Sequence, residues 1–99
     1  MAATYEVRFQ SVAPERRAEY VKMYKQAIQE IKQAGCTNGL ILCSESDPSS
    51  VLVLIEWESK EQHRRWRGTP PHTRFRNAVE GWQAKPSTGG GGYSLAETI

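Results

Sequence analysis

The stretch Val51–Ile55, with the sequence VLVLI, decides the fold of this chain of 99 residues. Its branched aliphatic side chains favour an extended strand. Because every position is apolar, rather than every second one, both faces of that strand must be covered. The run Leu40–Cys43 is a second apolar strand, and the Ser, Asp and Pro residues of the segment 46–50 between the two are typical of a turn. The two runs therefore predict a β-hairpin.

The residues before the hairpin predict a strand followed by a helix. Polar and apolar residues alternate over Tyr5–Gln10, which is the pattern of a half-buried strand with Tyr5, Val7 and Phe9 on one face. Apolar residues then recur at helical spacing over the segment 15–34, after a proline and before a glycine that can end the helix.

The residues after the hairpin predict two helices and a last strand. Ser59 is a candidate cap for a short helix that ends near Gly68, and Thr69 with Pro70 begins another helix. We expect the Gly-rich segment 86–92 to be a flexible loop and residues 93–99 to be a closing strand, with a disordered tail as the alternative for those last residues.

This order of elements predicts an α+β fold of the ferredoxin-like, split βαβ type, with helices on one face of a four-stranded antiparallel sheet. A chain of this length is expected to form one domain, residues 1–99. The helices can cover only one face of the sheet, whereas Val51–Ile55 is apolar on both. We therefore expect a second copy of the sheet to cover the other face in a homodimer.

Composition argues against several classes of protein. Cys36 and Cys43 make neither a disulfide framework nor a zinc motif, so no metal is expected. No apolar run is long enough to span a membrane, and the N-terminus lacks the layout of a secretory signal, which favours a cytoplasmic protein. The net charge of +2 is too small to indicate nucleic-acid binding. Residues 60–76 nevertheless carry a net charge of +5, which could attract an anionic substrate or could be a solvated helix face.

Two histidines are the main candidates for chemistry. His72 precedes Phe75 at helical spacing, so its imidazole should point toward the mouth of the core, where it could act as a general base or acid. A helix-start histidine that bonds to backbone or water is the alternative. His63 and Trp66 share a face of the short helix, and Trp57 ends the preceding strand. These rings could form a flat pocket for a planar aromatic ligand, or the tryptophans could be core residues.

Three segments resemble the antibiotic biosynthesis monooxygenase domain of the dimeric α+β barrel superfamily. They are Tyr5–Phe9, the strand and helix start Val53–Glu61, and Thr69–Phe75. The resemblance implies a homodimeric barrel with one pocket in each subunit. Members of this family include cofactor-free oxygenases acting on polyketide phenols, quinol oxygenases and haem-degrading enzymes. Related polyketide cyclases use the histidine of a Pro-x-His element similar to Pro70-Pro71-His72 as a base.

The departures from the family pattern narrow this expectation. Trp66 matches a tryptophan of the haem-degrading branch. However, Val7 stands where that branch has its pocket asparagine. The position of that branch's axial histidine falls near Phe75 or Arg76 in this chain, so haem degradation is not expected. Many members have a histidine where Trp66 stands, which argues against a relay between two histidines.

We therefore expect a cofactor-independent enzyme of aromatic polyketide-type metabolism. It would use O2 to convert a phenol or hydroquinone into a quinone, with His72 and Trp66 as catalytic residues. A cofactor-free cyclase or isomerase with a histidine base, and a non-catalytic dimeric binding module, are the alternatives. The expected substrate is a small aromatic or polyketide-like molecule, which could be anionic. Its predicted contacts are His63, Trp57, Tyr24, Tyr5, Phe75 and Arg76.

Overall fold

A computed structural model describes residues 2–99 of the chain. It contains four strands and three α-helices within those residues, and a single 3-10 turn leads into the first helix. No helix in residues 2–99 is both long enough and apolar enough to span a membrane. In chain order the elements are β1 (Thr4–Val12), the 3-10 turn (Pro14–Arg16), α1 (Arg17–Gln33), β2 (Cys36–Cys43), β3 (Ser50–Trp57), α2 (Lys60–Arg67), α3 (Pro70–Glu80) and β4 (Gln83–Tyr93).

The four strands form one sheet in the order β2-β3-β1-β4, and every neighbouring pair is antiparallel. The central strands β1 and β3 are neighbours although the helix α1 and the strand β2 separate them in the chain. This is the split βαβ arrangement, so the α+β, ferredoxin-like fold is confirmed. The predicted hairpin is also confirmed, with β2 starting four residues earlier than the sequence indicated.

Side-chain caps set the start of the two later helices, as the sequence predicted. The Oγ atom of Ser59 accepts a hydrogen bond from the backbone N–H of Gln62 at 3.1 Å, one turn into α2. The Oγ1 atom of Thr69 accepts from the N–H of His72 at 3.3 Å, and Pro70 occupies the first position of α3. Because the cap includes the N–H of His72, it fixes this residue in the first turn of α3.

The two faces of β3 have different surroundings. Val51, Val53, Ile55 and Trp57 are almost fully buried against α1 and the later helices. The residues between them point to the opposite face, where the strand register places them beside apolar residues of β1 and β2. We call this second surface the open face; its apolar residues are Val7, Phe9, Leu40, Leu42, Leu52 and Leu54. Phe9 and Leu40 are 53% and 50% exposed, so no part of residues 2–99 covers these side chains on the open face.

The C-terminal prediction was wrong. The strand β4 occupies Gln83–Tyr93, so it includes the segment 86–92 that was expected to be a loop, and residues 94–99 have no regular secondary structure. The glycines pair with the edge of β1: Gly89 lies opposite Arg8 and Gly90 opposite Val7, with register shifts on both sides. Gly89 has a φ of +98°, which glycine adopts without strain. The glycines therefore allow an irregular strand, where the sequence suggested a flexible connection.

Replacing Gly89 by alanine should destabilise the protein by about 2 kcal/mol or more. The positive φ strains any side chain, and the new Cβ atom would overlap the carbonyl oxygen of Val7. The control is Gly90→Ala, because Gly90 has no positive φ and no atom within 4 Å of an added Cβ. Urea unfolding of both variants at equal protein concentration measures the difference. Equal stability of the two variants would contradict the pairing of β4 with β1.

Candidate functional site

A pocket of about 260 Å³ lies between the sheet and the helices. Strands β1 and β3 form its floor, and residues of α2 and α3 form its roof. Of the eight residues that the sequence suggested for the site, seven line this pocket: Tyr24, Trp57, His63, Trp66, His72, Phe75 and Arg76. The fold thus brings together side chains from four elements; Tyr24 comes from α1, and the other six residues lie within residues 57–76.

Tyr5 does not line the pocket, and its predicted role as a substrate contact is corrected. It lies opposite Glu56 in the register of β1 and β3, on the sheet face away from the helices. Its hydroxyl donates a hydrogen bond to the Oε1 atom of Glu56 at 2.8 Å. The physical reason is the period of two along a strand: residues next to Glu6 in sequence must point to the other face.

Three pocket residues that the sequence interpretation missed are Glu6, Arg8 and Gln10 of β1. The apolar residues of β1 belong to the open face, so these polar residues face the helices instead. The alternation of polar and apolar residues in β1 indicated that Glu6, Arg8 and Gln10 share one face, but not that this face is turned toward the helices. Val7, which was compared with a pocket asparagine of relatives, points away from the pocket for the same reason.

The carboxylate of Glu6 is the centre of a buried polar network. Its Oε1 atom accepts a hydrogen bond from Nε1 of Trp57 at 3.2 Å and lies 3.4 Å from Nε2 of His63. Its Oε2 atom accepts from Nε of Arg8 at 2.9 Å. Burial opposes ionisation of Glu6, but the hydrogen bonds and charges of His63 and Arg8 outweigh it and lower the pKa of Glu6 to about 2. The pocket therefore holds a buried carboxylate that is ionised at neutral pH.

His63 is held firmly in this network. Its ring stacks on the indole of Trp57, with the ring centroids 4.8 Å apart and an angle of 20° between the planes. The backbone of Gly91 in β4 also lies against it, since a Cβ atom at Gly91 would come within 2.6 Å of Cε1 of the imidazole. Any larger residue at position 91 would have to displace the histidine.

His72 lies in a different environment from His63, next to Trp66 instead of Trp57. Its ring meets Trp66 edge-on, with centroids 5.5 Å apart, and Trp66 lies 6.5 Å from Phe75. Partial burial lowers the pKa of His72, and the positive charge of Arg76 lowers it further. At neutral pH the imidazole is therefore uncharged, which is the form that can accept a proton.

Only part of the basic segment 60–76 belongs to the pocket. Arg67 and Arg76 line it, and Arg76 donates a hydrogen bond to Glu80 at 3.3 Å. The other basic residues of the segment are exposed on the outer surfaces of α2 and α3, and Arg64 pairs there with Glu61. The interpretation as a solvated helix face therefore fits most of this segment.

The pocket suits a small aromatic molecule better than a large one. Its volume lies slightly below the roughly 300–1,000 Å³ that is usual for ligand pockets. Aromatic rings form one wall, a neutral imidazole stands at one side, and an ion pair lies on the floor. Residues 2–99 hold no cluster of three His, Cys, Asp or Glu side chains that could bind a metal ion.

Comparisons with known proteins agree with this architecture. A family model described as antibiotic biosynthesis monooxygenase matches residues 4–78. The fold resembles a variant of SnoaB, a cofactor-independent oxygenase from Streptomyces nogalater, with a TM-score of 0.84 and 17% identity over 100% of this chain and 98% of that one. It also resembles a conserved protein from Methanosarcina mazei, with a TM-score of 0.79 and 18% identity over 96% and 95%. No curated protein matches the chain in sequence.

The ionised Glu6 should make stability depend on acid pH. Its folded pKa of about 2 lies below its ordinary value of 4.5, so its contribution is complete above pH 4.5 and is lost as the pH falls toward 2. Between those limits the wild type should lose roughly 3 kcal/mol that a Glu6→Gln variant does not lose. Urea unfolding over this range measures the difference, with Glu80→Gln at the exposed Arg76 pair as the control. Parallel pH curves for wild type and Glu6→Gln would show that Glu6 is not ionised in the network.

Proposed function

The chain belongs to the antibiotic biosynthesis monooxygenase family, and we propose that it is a cofactor-independent oxygenase that converts a small phenol into a quinone with O2. The observation that carries this proposal is the neutral imidazole of His72 beside the aromatic wall of Trp66 and Phe75. A base in an aromatic pocket is what a phenol needs to become a phenolate. SnoaB, named as a cofactor-independent oxygenase, supports the proposal through its similar fold.

The proposed reaction begins with proton transfer from the phenol to His72. The phenolate is electron-rich and can give one electron to O2; the two radicals then join at the carbon para to the phenolic oxygen. The peroxide anion formed in this way takes back the proton held by His72 and becomes a hydroperoxide. The carbon that bears it then loses its hydrogen as a proton while the O–O bond breaks. The departing hydroxide and this proton form water, and the ring becomes a quinone. One atom of O2 enters the quinone, the other enters water, and the substrate loses two hydrogen atoms. The electrons come from the substrate itself, so the balance requires no separate reductant.

The aromatic side chains would hold the substrate and exclude water. Trp66 and Phe75 would contact the substrate ring from the pocket wall. The buried residues Trp57 and Tyr24 support them: the ring centroids of Trp57 and Trp66 are 6.4 Å apart, and Tyr24 contacts Phe75 edge-on with centroids 5.3 Å apart. Flat rings bind well between such walls. Excluding water also strengthens the electrostatic effect of nearby fixed dipoles on the phenolate. In this proposal Trp66, which contacts both His72 and Phe75, keeps the substrate ring beside the base.

We also propose that the open face is covered by a second copy of the chain. The exposed side chains of Phe9 on β1 and of Leu40 and Leu42 on β2 lie on either side of Leu52 and Leu54 of the central strand β3. A contiguous apolar surface of this kind is typical of an interaction site. Two copies related by a two-fold axis would cover each other with the same residues, and their sheets would form the barrel of the superfamily.

Purified protein with 1,5-dihydroxynaphthalene should consume O2 without added flavin or metal. With heavy-isotope-labelled O2, mass spectrometry should find one labelled atom in the 5-hydroxy-1,4-naphthoquinone product. His72→Ala should lower kcat/KM by about 10²–10⁴, the usual contribution of a general base. The rate should fall as the pH drops through the pKa of His72, which lies below its ordinary 6.5. Arg74→Ala, on the exposed side of the same helix, is the matched control.

Other outcomes point to the other functions. A new product formed without O2 consumption would indicate a cyclase or isomerase with His72 as base. Ligand binding without turnover, unchanged in His72→Ala, would indicate a binding module. Turnover that appears only when flavin or iron is added would overturn the cofactor-independent mechanism.

The dimer is tested by placing a charge on the open face. Leu40→Glu should weaken self-association tenfold or more, or about 1.4 kcal/mol. Because Leu40 is half exposed in the subunit, the substitution should leave the monomer folded. Ala18→Glu, on the exposed side of α1, is the control. Sedimentation equilibrium measures both, and a wild-type protein that stays monomeric at micromolar concentration contradicts the proposed dimer.

A further inference from the structure

We propose that Arg8, oriented by Glu6, binds a carboxylate group of the substrate inside the pocket, so that the substrate class is a small hydroxyaryl carboxylic acid. This inference rests on the proposed function, in which the pocket receives a phenol. It adds a second, cationic anchor on the sheet side of the pocket, and it assigns that anchor to Arg8, a strand residue outside the basic segment 60–76.

The guanidinium of Arg8 has donors to spare. An arginine carries five N–H groups. The Nε group of Arg8 donates to Glu6, and within the described part of the chain no hydrogen bond involves its two Nη atoms. The side chain lines the pocket and is 29% exposed, so a ligand in the pocket can reach it. Two parallel N–H groups of a guanidinium match the two oxygens of a carboxylate.

Glu6 keeps this guanidinium in place. Its carboxylate is only 11% exposed and is itself held by Trp57 and His63, so it forms a rigid support. An arginine that is already oriented loses less conformational entropy when it binds a ligand. Glu6 is thus a positioning residue, and Arg8 is the group that contacts the ligand.

The other charged groups facing the pocket are weaker candidates for this role. Arg76 donates to Glu80, and their side chains are 62% and 56% exposed, so solvent screens both charges. Arg67 is exposed at the end of α2. Glu6 repels an anion, but its charge is shared among Arg8, His63 and the indole N–H of Trp57. Arg8 is therefore the pocket arginine that is least exposed to solvent while its Nη donors remain available to a ligand.

The two anchors lie on opposite walls. Arg8 belongs to β1 on the floor of the pocket, whereas His72 belongs to the first turn of α3 in the roof. A ligand that bridges them must carry a carboxylate on one side and a hydroxyl on the other. The pocket volume of about 260 Å³ restricts such a ligand to one or two aromatic rings.

A matched pair of ligands tests the proposal by binding alone. Isothermal calorimetry under anaerobic conditions compares 3-hydroxybenzoate with 3-hydroxybenzamide, which have nearly the same shape and differ in charge. The wild type should bind 3-hydroxybenzoate about tenfold more tightly, as expected for hydrogen bonds to a charged group. Arg8→Gln should remove that preference by weakening 3-hydroxybenzoate alone, and Arg8→Lys should retain part of it. Arg74→Gln, outside the pocket, should keep the full preference.

Several results would overturn the inference. Equal weakening of both ligands in Arg8→Gln would show that Arg8 has a purely structural role. Loss of the preference for the carboxylate in Arg67→Gln would place the carboxylate beside Arg67, at the end of α2, instead of beside Arg8. No preference in the wild type, or no binding at millimolar concentration, would also refute it. Because these measurements need no turnover, they are independent of the oxygen-uptake test. If Arg8→Gln oxygenates a neutral phenol at the wild-type rate and the carboxylate preference is absent, the proposed function stands and the carboxylate anchor is wrong.

Discussion

The buried carboxylate of Glu6 determines the arrangement of the site. A carboxylate removed from water is costly unless its oxygens are hydrogen-bonded and its charge is compensated. Here three side chains meet that requirement: Trp57, His63 and Arg8. Each is thereby fixed in position, so the indole, the imidazole and the guanidinium of the pocket are all oriented by one group. The site depends on satisfying this charge more than on apolar packing.

Glu6 is buried because the apolar and polar residues of β1 occupy opposite faces of the sheet. The apolar residues of β1 contribute to the open face, where Val7 and Phe9 lie beside Leu54 and Leu52. Because side chains alternate between the two faces of a strand, the polar residues Glu6, Arg8 and Gln10 must then face the helices. The surface proposed for dimerisation and the polar floor of the pocket are therefore two consequences of one alternation. A shift of β1 by one residue would expose Glu6 and bury Phe9, and it would abolish both.

The fold could be predicted from the sequence because the helix starts and the central strand are clearly marked. The caps at Ser59 and Thr69 and the apolar run Val51–Ile55 each have one reasonable structural meaning. Two features could not be predicted from local pattern. The glycines around Gly89 are typical of a loop, and only their pairing with β1 makes them a strand. The face that Glu6 occupies depends on which side the helices cover, and alternation alone does not say which set of residues is inside.

The two histidines of the pocket differ in electrostatic setting, and this difference supports the roles proposed for them. His63 lies against the Glu6 carboxylate and between Trp57 and Gly91, so its contacts with the protein are already made. His72 occupies the third position of α3, near the positive end of the helix dipole, with Arg76 one turn further on. Partial burial and the positive charge of Arg76 both lower the pKa of His72, which keeps its imidazole in the form that the proposed base requires.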